Sequence, residues 1–249
     1  MIAIPKRSPP RALVTRPRAE AAALAAVLAA RGIETIVEPL IEIGWRDGPL
    51  DLAGVQAVLC TSANGVRALA RASGERTVPL YAVGETTAAQ ARSEGFAAAE
   101  GAGGDIVDLA RLVGARLHPA AGRLVHIAGS AVAGDLAGEL RAAGFAVERA
   151  VLYDAQPAAA LTPETAAALA ERSIDLALFF SPRTAAIFLR LAADAGVAGA
   201  LTRVTAISIS RAADAALGDL AFRGRLVAAA PTQAAVLDRI NSLFAATPL

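Results

Sequence analysis

The chain has 249 residues, 55% of them hydrophobic, enough to build one large or two modest cored domains. A formal net charge of +1 leaves no basic footprint for nucleic acid or an anionic membrane, and an aromatic content of 4% means that the cores are built from Ala, Val, Leu and Ile. A single cysteine, Cys60, excludes an intramolecular disulfide framework and any multi-cysteine metal set.

The stretch from Met1 to Arg11 carries basic residues and prolines but no apolar signal-peptide core. Nowhere do ~18 apolar residues run uninterrupted, the length a membrane span needs. The expectation is a cytoplasmic protein. From Arg11 onward, short apolar runs alternate with longer helical patterns, the signature of parallel α/β structure. Strands are predicted at 12–15, 34–38, 56–60, 78–83, 123–127, 145–149, 175–180, 204–208 and 225–229, with helices between them. Many strands run directly into a Ser, Thr or Pro that can open the next helix.

The pattern occurs twice. With Arg11 aligned to Arg123, Leu24 meets Leu136, Leu28 meets Leu140, Gly32 meets Gly144 and Leu40 meets Leu152. Each copy reads strand, turn, helix, Gly stop, strand, and Gly32 and Gly144 suit a left-handed helix end. A second echo relates Val58–Val66 to Leu178–Ala185, and Tyr81–Ala88 to Thr205–Ala212. Two extended segments bounded by prolines, 39–44 and 151–157, lie at matching places and read as connectors.

In parallel α/β sheets, ligands bind beyond the carboxyl ends of the strands, where helix N-termini offer free N–H groups and a positive dipole end. Thr15, Ser62, Thr86, Thr87, Ser181 and Ser210 stand at such corners. Each also reads as a plain helix cap. Together, at equivalent corners of two related units, they would line one cleft. Gly84 and Gly129 permit close backbone approach to a ligand. Neither sits in a GxGxxG or Walker A pattern, so no nucleotide cofactor is expected.

Arg16 follows a strand and reads either as a carboxylate partner or as an exposed turn charge. Trp45 reads as packing. Tyr153, beside Asp154 in the second connector and outside any regular strand, is either an amphipathic plug or a phenol placed to donate a proton or hydrogen bond. The two histidines, His118 and His126, form no Ser-His-Asp or two-His metal pattern, and Cys60 reads as a buried, inert thiol. Lys6 is the only lysine among 24 basic residues. An Ala- and Arg-rich composition accounts for that bias, although arginine does suit bidentate carboxylate binding.

Leu13-Val-Thr-Arg-Pro, Pro39-Leu-Ile-Glu-Ile, Thr61-Ser-Ala-Asn-Gly-Val, Ala82-Val-Gly-Glu-Thr-Thr-Ala, Val151-Leu-Tyr and Phe179-Phe-Ser-Pro follow one another in an order and spacing that resembles the uroporphyrinogen-III synthase family. The resemblance covers roughly residues 11–240. It implies two similar parallel-sheet α/β domains joined by a two-stranded connector, with the active-site cleft between them. Domain 1 is then discontinuous, 1–38 plus 157–249, domain 2 spans 44–150, and the connectors are 39–43 and 151–156.

The family reaction needs no cofactor and no metal. It closes hydroxymethylbilane, a linear tetrapyrrole, into uroporphyrinogen III with loss of water and inversion of ring D. The resemblance implies a monomer, with handover of substrate from hydroxymethylbilane synthase and no nucleic-acid or membrane partner. Carried over residue by residue, Tyr153 matches the tyrosine that assists hydroxide departure. Thr87, Ser62 and Ser181 match hydroxyls at the cleft, and main-chain N–H groups near Gly84 and Gly129 would hold substrate carboxylates. Thr15, Arg16, Asn64, Thr86 and Ser210 complete the expected substrate-binding set.

Two departures stand out. Where the family often has Gly-x-Thr-Thr-Ala, this chain has Ser208-Ile-Ser-Arg-Ala212, so Arg211 takes the second threonine's place. Ser130-Ala-Val-Ala-Gly134 also lacks the basic residue often found near Gly129. These departures leave room for a non-catalytic relative that binds a tetrapyrrole or other polyanion. An unrelated periplasmic-type binding protein is a third reading, which the missing signal peptide disfavours.

Overall fold

A computed structural model describes residues 9–130 and 134–245. The leader reading of the N-terminus therefore lies largely outside the described residues, as do residues 131–133 of the segment after Gly129. In chain order the elements are β1 (Arg11–Val14), α1 (Arg18–Ala29), β2 (Glu34–Val37), β3 (Ile41–Trp45), β4 (Val55–Cys60), α2 (Ala63–Ala72) and β5 (Leu80–Ala82). There follow α3 (Glu85–Ser93), β6 (Ala99–Gly101), α4 (Ile106–Arg116), β7 (Arg123–Gly129), α5 (Leu136–Ala142), β8 (Val147–Pro157) and α6 (Pro163–Ala170). The chain closes with β9 (Leu176–Phe179), α7 (Pro182–Asp194), β10 (Thr205–Ser208), α8 (Arg211–Ala215), β11 (Gly224–Val227) and α9 (Gln233–Ala245).

The chain divides into two compact units, Met1–Glu42 with Gln156–Leu249, and Ile43–Ala155. The first holds a five-stranded parallel sheet in the order β11-β10-β9-β1-β2. Its central strands β10, β9 and β1 are buried on both faces because helices cover both. Alternation along β1 shows this directly. Leu13 packs with Leu169 of α6 and Phe188 of α7, while Ala12 and Val14 pack with Leu24 and Leu28 of α1 and with Val236 and Ile240 of α9.

The second unit holds six strands in the order β3-β8-β7-β4-β5-β6, with β8 through β6 all parallel. On β4, Val58 and Cys60 face α2 and α3, and Ala57 and Leu59 face α4 and α5. Leu59 is fully buried, so Leu59→Ala would cost about 2–5 kcal/mol in lost burial and cavity formation.

The internal repeat is a repeat of structure. Arg11 pairs with Glu34 across β1 and β2, and Leu124 pairs with Val147 across β7 and β8, the same sequence offset in both. Gly32 and Gly144 close the intervening helices with φ of 70° and 88°.

All nine predicted strands are present. Two were not predicted. β6 is only three residues long and carries no alternating pattern. β3 occupies what reads as a connector, where Ile41, Ile43 and Trp45 point to one side and Glu42 and Gly44 to the other. β8 also runs on through the second connector as one strand of eleven residues. Among the described residues, no helix is long and apolar enough to cross a membrane.

Candidate active site

The second unit places its chemistry-bearing residues at the carboxyl ends of β4, β5, β7 and β8. The centre is Tyr153. The sequence reading puts it in the second connector, outside a regular core strand, and the structure has β8 running on through that connector to place Tyr153 opposite Gly129 of β7. Pairing with β7 continues past the expected strand end because the register shifts between Ala128 and Gly129, giving β8 one extra residue there. Ser130 N–H donates to the Tyr153 carbonyl at 3.0 Å and closes this end of the ladder.

The bulge aims the phenol ring across Gly129. A Cβ on residue 129 would lie 2.9 Å from Tyr153 Cε2 and 3.0 Å from Cζ, closer than packed carbons approach. Glycine is therefore a requirement of the tyrosine's position. Trp45 flanks the ring, with centroids 6.5 Å apart and planes tilted at 59°. Tyr153 keeps 8% of its surface exposed.

The phenol oxygen lies 2.9 Å from Ser62 Oγ. Ser62 is the N-cap of α2, and its Oγ accepts the Gly65 N–H at 3.1 Å. The cap holds the hydroxyl still, because the residue must keep its extended backbone for the helix to start. Gly65 in turn fits against the Ile127 carbonyl, 3.3 Å from where a Cβ would stand. Ser62 thus serves as a helix cap and as the hydrogen-bond partner of Tyr153 at once.

Charged neighbours lock the surrounding backbone. Arg149 donates to the carbonyls of Gly129 and Ser130 at 2.7 and 3.1 Å. Arg46 grips Asp154 with two bonds of 2.8 and 2.9 Å. The hydrogen bonds from Arg46, and then from Ser130, hold the Asp154 carboxyl down at about 2. Beside Tyr153, Asp154 is therefore a fixed carboxylate and no proton donor at neutral pH. The Arg46–Asp154 pair ties β3 to β8. Sequence reasoning missed it, because Arg46 lies just past the first connector and its partner is 108 positions away.

The corner after β5 differs from expectation. Thr86 and Thr87 do not cap α3. Gly84 is the N-cap, in extended backbone, and the two threonines lie in the first turn, Thr86 exposed and Thr87 buried. Gly84 has no side chain to offer, so the N–H groups of Glu85 and Thr86 at this helix start have no side-chain cap. Gly101, another residue missed from sequence, makes the corner possible. A Cβ there would meet the Gly84 carbonyl carbon at 2.9 Å and Glu85 N at 3.0 Å. Asn64 lies in the first turn of α2, where its Oδ1 accepts from Arg67 at 3.0 Å.

Two groups are withdrawn from chemistry by burial. The Cys60 thiol is pushed well above its usual range. His126, in the middle of β7, is held down at about 4, first by desolvation and second by the charge of Arg149. It is therefore a neutral imidazole at physiological pH.

In the first unit, Ser181 caps α7 by accepting from Thr184 N–H at 3.1 Å, and Ser210 caps α8 by accepting from Ala213 N–H at 3.2 Å. Thr15 departs from its expected role as a binding hydroxyl. It is fully buried and donates to the Leu178 carbonyl at 2.7 Å, because β1 and β9 are neighbours and the chain reaches α1 only after Pro17. Arg16 is neither exposed nor free for a ligand. Its guanidinium lies 4.5 Å over the Phe180 ring, donates to Gln233 at 2.8 Å and pairs with Glu20 at 3.4 Å.

A family model described as uroporphyrinogen-III synthase HemD matches residues 22–238. Among solved structures, the chain is similar in fold to a uroporphyrinogen-III synthetase from Helicobacter pylori, at 20% identity and a TM-score of 0.65, over 94% of this chain and 99% of that one. It is also similar to a mutant uroporphyrinogen III synthase from the extremely thermophilic bacterium Thermus thermophilus, at 18% identity and a TM-score of 0.54, over 96% of this chain and 100% of that one. No curated protein sequence matches significantly.

Proposed function

The chain belongs to the uroporphyrinogen-III synthase family, and on that premise we propose that it cyclises hydroxymethylbilane to uroporphyrinogen III, acting as a hydro-lyase with Tyr153 as its acid. The observation that carries the reading is the Tyr153 hydroxyl held 2.9 Å from Ser62 Oγ at the carboxyl end of the sheet. A phenol fixed there can hand its proton to the hydroxyl leaving ring A, so that hydroxide departs as water and an azafulvene cation remains.

Ring D then attacks through its substituted carbon and forms a spiro intermediate. That intermediate fragments, and the free carbon of ring D closes the macrocycle, losing a proton that restores the Tyr153 phenol. The net loss is one hydroxide and one proton, one water in all. Because the bilane also closes unaided to the uninverted isomer, the protein must orient both ends of a flexible chain as well as assist the departure. Ser62 orients the phenol, Gly129 leaves room for it, and the first-turn N–H groups of α3 together with Thr86 suit a substrate carboxylate. On this reading the protein works as a cytoplasmic monomer supplied by hydroxymethylbilane synthase.

The test is product identity. Supplied with freshly made hydroxymethylbilane, the protein should yield the III isomer. Formation of the I isomer alone, at the uncatalysed rate, would leave a protein that only binds tetrapyrroles.

A further inference from the structure

At the carboxyl ends of β10 and β11 the first unit carries an open groove of about 420 Å³. Ser210, Arg211, the segment from Ala228 to Pro231 and Arg239 line it, and among the described residues no acidic side chain does. Arg211 is exposed and makes no hydrogen bond or ion pair with any described residue. Arg239, from α9, donates its Nε to the Val227 carbonyl at 2.9 Å, which anchors the guanidinium at the end of β11 and leaves its two terminal nitrogens to face a ligand. The acid on α8, Asp214, is already paired with Arg225 at 3.0 Å.

We propose that this groove is a carboxylate subsite, in which Arg211 and Arg239 together hold an aliphatic carboxylate arm of the linear tetrapyrrole. Two guanidinium groups line one concavity with no counter-ion from the described residues, and a planar carboxylate is the ligand that such forks suit. The family pattern often has a threonine where this chain has Arg211. The exchange replaces a single hydroxyl donor with a charged fork. The groove would bind substrate and product alike, and so contributes uniform binding and no selective stabilisation of the transition state. The inference rests on the synthase reading for the identity of its ligand.

The experiment compares wild type with Arg211→Gln, Arg239→Gln and the double variant. Binding of uroporphyrin III, a stable octacarboxylate probe, is titrated at low and high salt alongside turnover of hydroxymethylbilane. Each single variant should raise the uroporphyrin Kd and the KM about 5–10-fold, with kcat and the isomer produced unchanged. The salt dependence of binding should flatten in the double variant. Melting curves matching wild type establish that the variants fold. Should the double variant bind uroporphyrin as tightly as wild type, the subsite is refuted. If wild type makes no III isomer, the synthase reading fails on its own, and the uroporphyrin titration still decides whether the two arginines bind carboxylates.

Discussion

Tyr153 and Ser62 meet at 2.9 Å although they are 91 positions apart in sequence, and the same serine oxygen caps α2. The fold thereby links the start of one helix to the direction of one phenol. Replacing Tyr153 with Phe removes the proton donor and keeps the ring. Turnover should fall by about 10²-fold while binding of uroporphyrin III stays within a factor of about two. An unchanged kcat would remove Tyr153 from the chemistry.

Ser62→Ala should do two separable things. Loss of the cap lowers stability by about 1 kcal/mol, read from urea denaturation. Loss of the phenol's partner lowers kcat. In the Tyr153→Phe background the second effect should vanish, so the two substitutions are non-additive in rate, and because the two side chains share a hydrogen bond their stability costs should couple as well. Full additivity in rate would mean that Ser62 acts elsewhere.

Gly129→Ala introduces a carbon 2.9 Å from the tyrosine ring. The ring must swing away from Ser62. Turnover should drop to the level of Tyr153→Phe, with a stability loss of about 1–3 kcal/mol from overpacking. Gly129→Ala with Tyr153→Leu should recover stability without recovering activity.

His126 gives the protein a pH limit. Its folded value, about 4, lies below the usual 6.5, so the fold favours the neutral imidazole. The contribution is complete above the unfolded value and is lost as pH falls from about 6.5 through about 4. The integrated loss is roughly 3 kcal/mol. Urea midpoints measured between pH 8 and pH 4 should decline over that window, and His126→Asn should flatten the decline. An equal slope in the variant would place the acid sensitivity elsewhere.

Thr15→Val should behave as a core substitution. It strands the Leu178 carbonyl, which should lower stability by about 1–3 kcal/mol with KM unaltered. A raised KM at unchanged stability would return Thr15 to the binding surface.

Strand positions were legible in the sequence because buried parallel strands are continuous apolar runs, as at Val55–Cys60 and Leu176–Phe179. Ser62, Ser181 and Ser210 were legible as corners because a cap's chemistry is local. The true partners of Thr15 and Arg16 were not, since Leu178, Phe180 and Gln233 are distant in sequence and arrive only through sheet order. Tyr153 could be singled out as a candidate but not placed. Its position depends on a one-residue register shift beside Gly129, and no periodicity records such a shift. Gly101 was hidden for the same reason, because its close approach to Gly84 joins two strands paired across the sheet.

The most direct measurement is the isomer composition formed from freshly prepared hydroxymethylbilane, after oxidation to porphyrins, with wild type and Tyr153→Phe run in parallel. Wild type should give the III isomer faster than the bilane closes unaided, and Tyr153→Phe should give mostly the I isomer, because uncatalysed closure overtakes it. Mainly the I isomer from wild type, or the III isomer at equal speed from both proteins, would contradict the assignment.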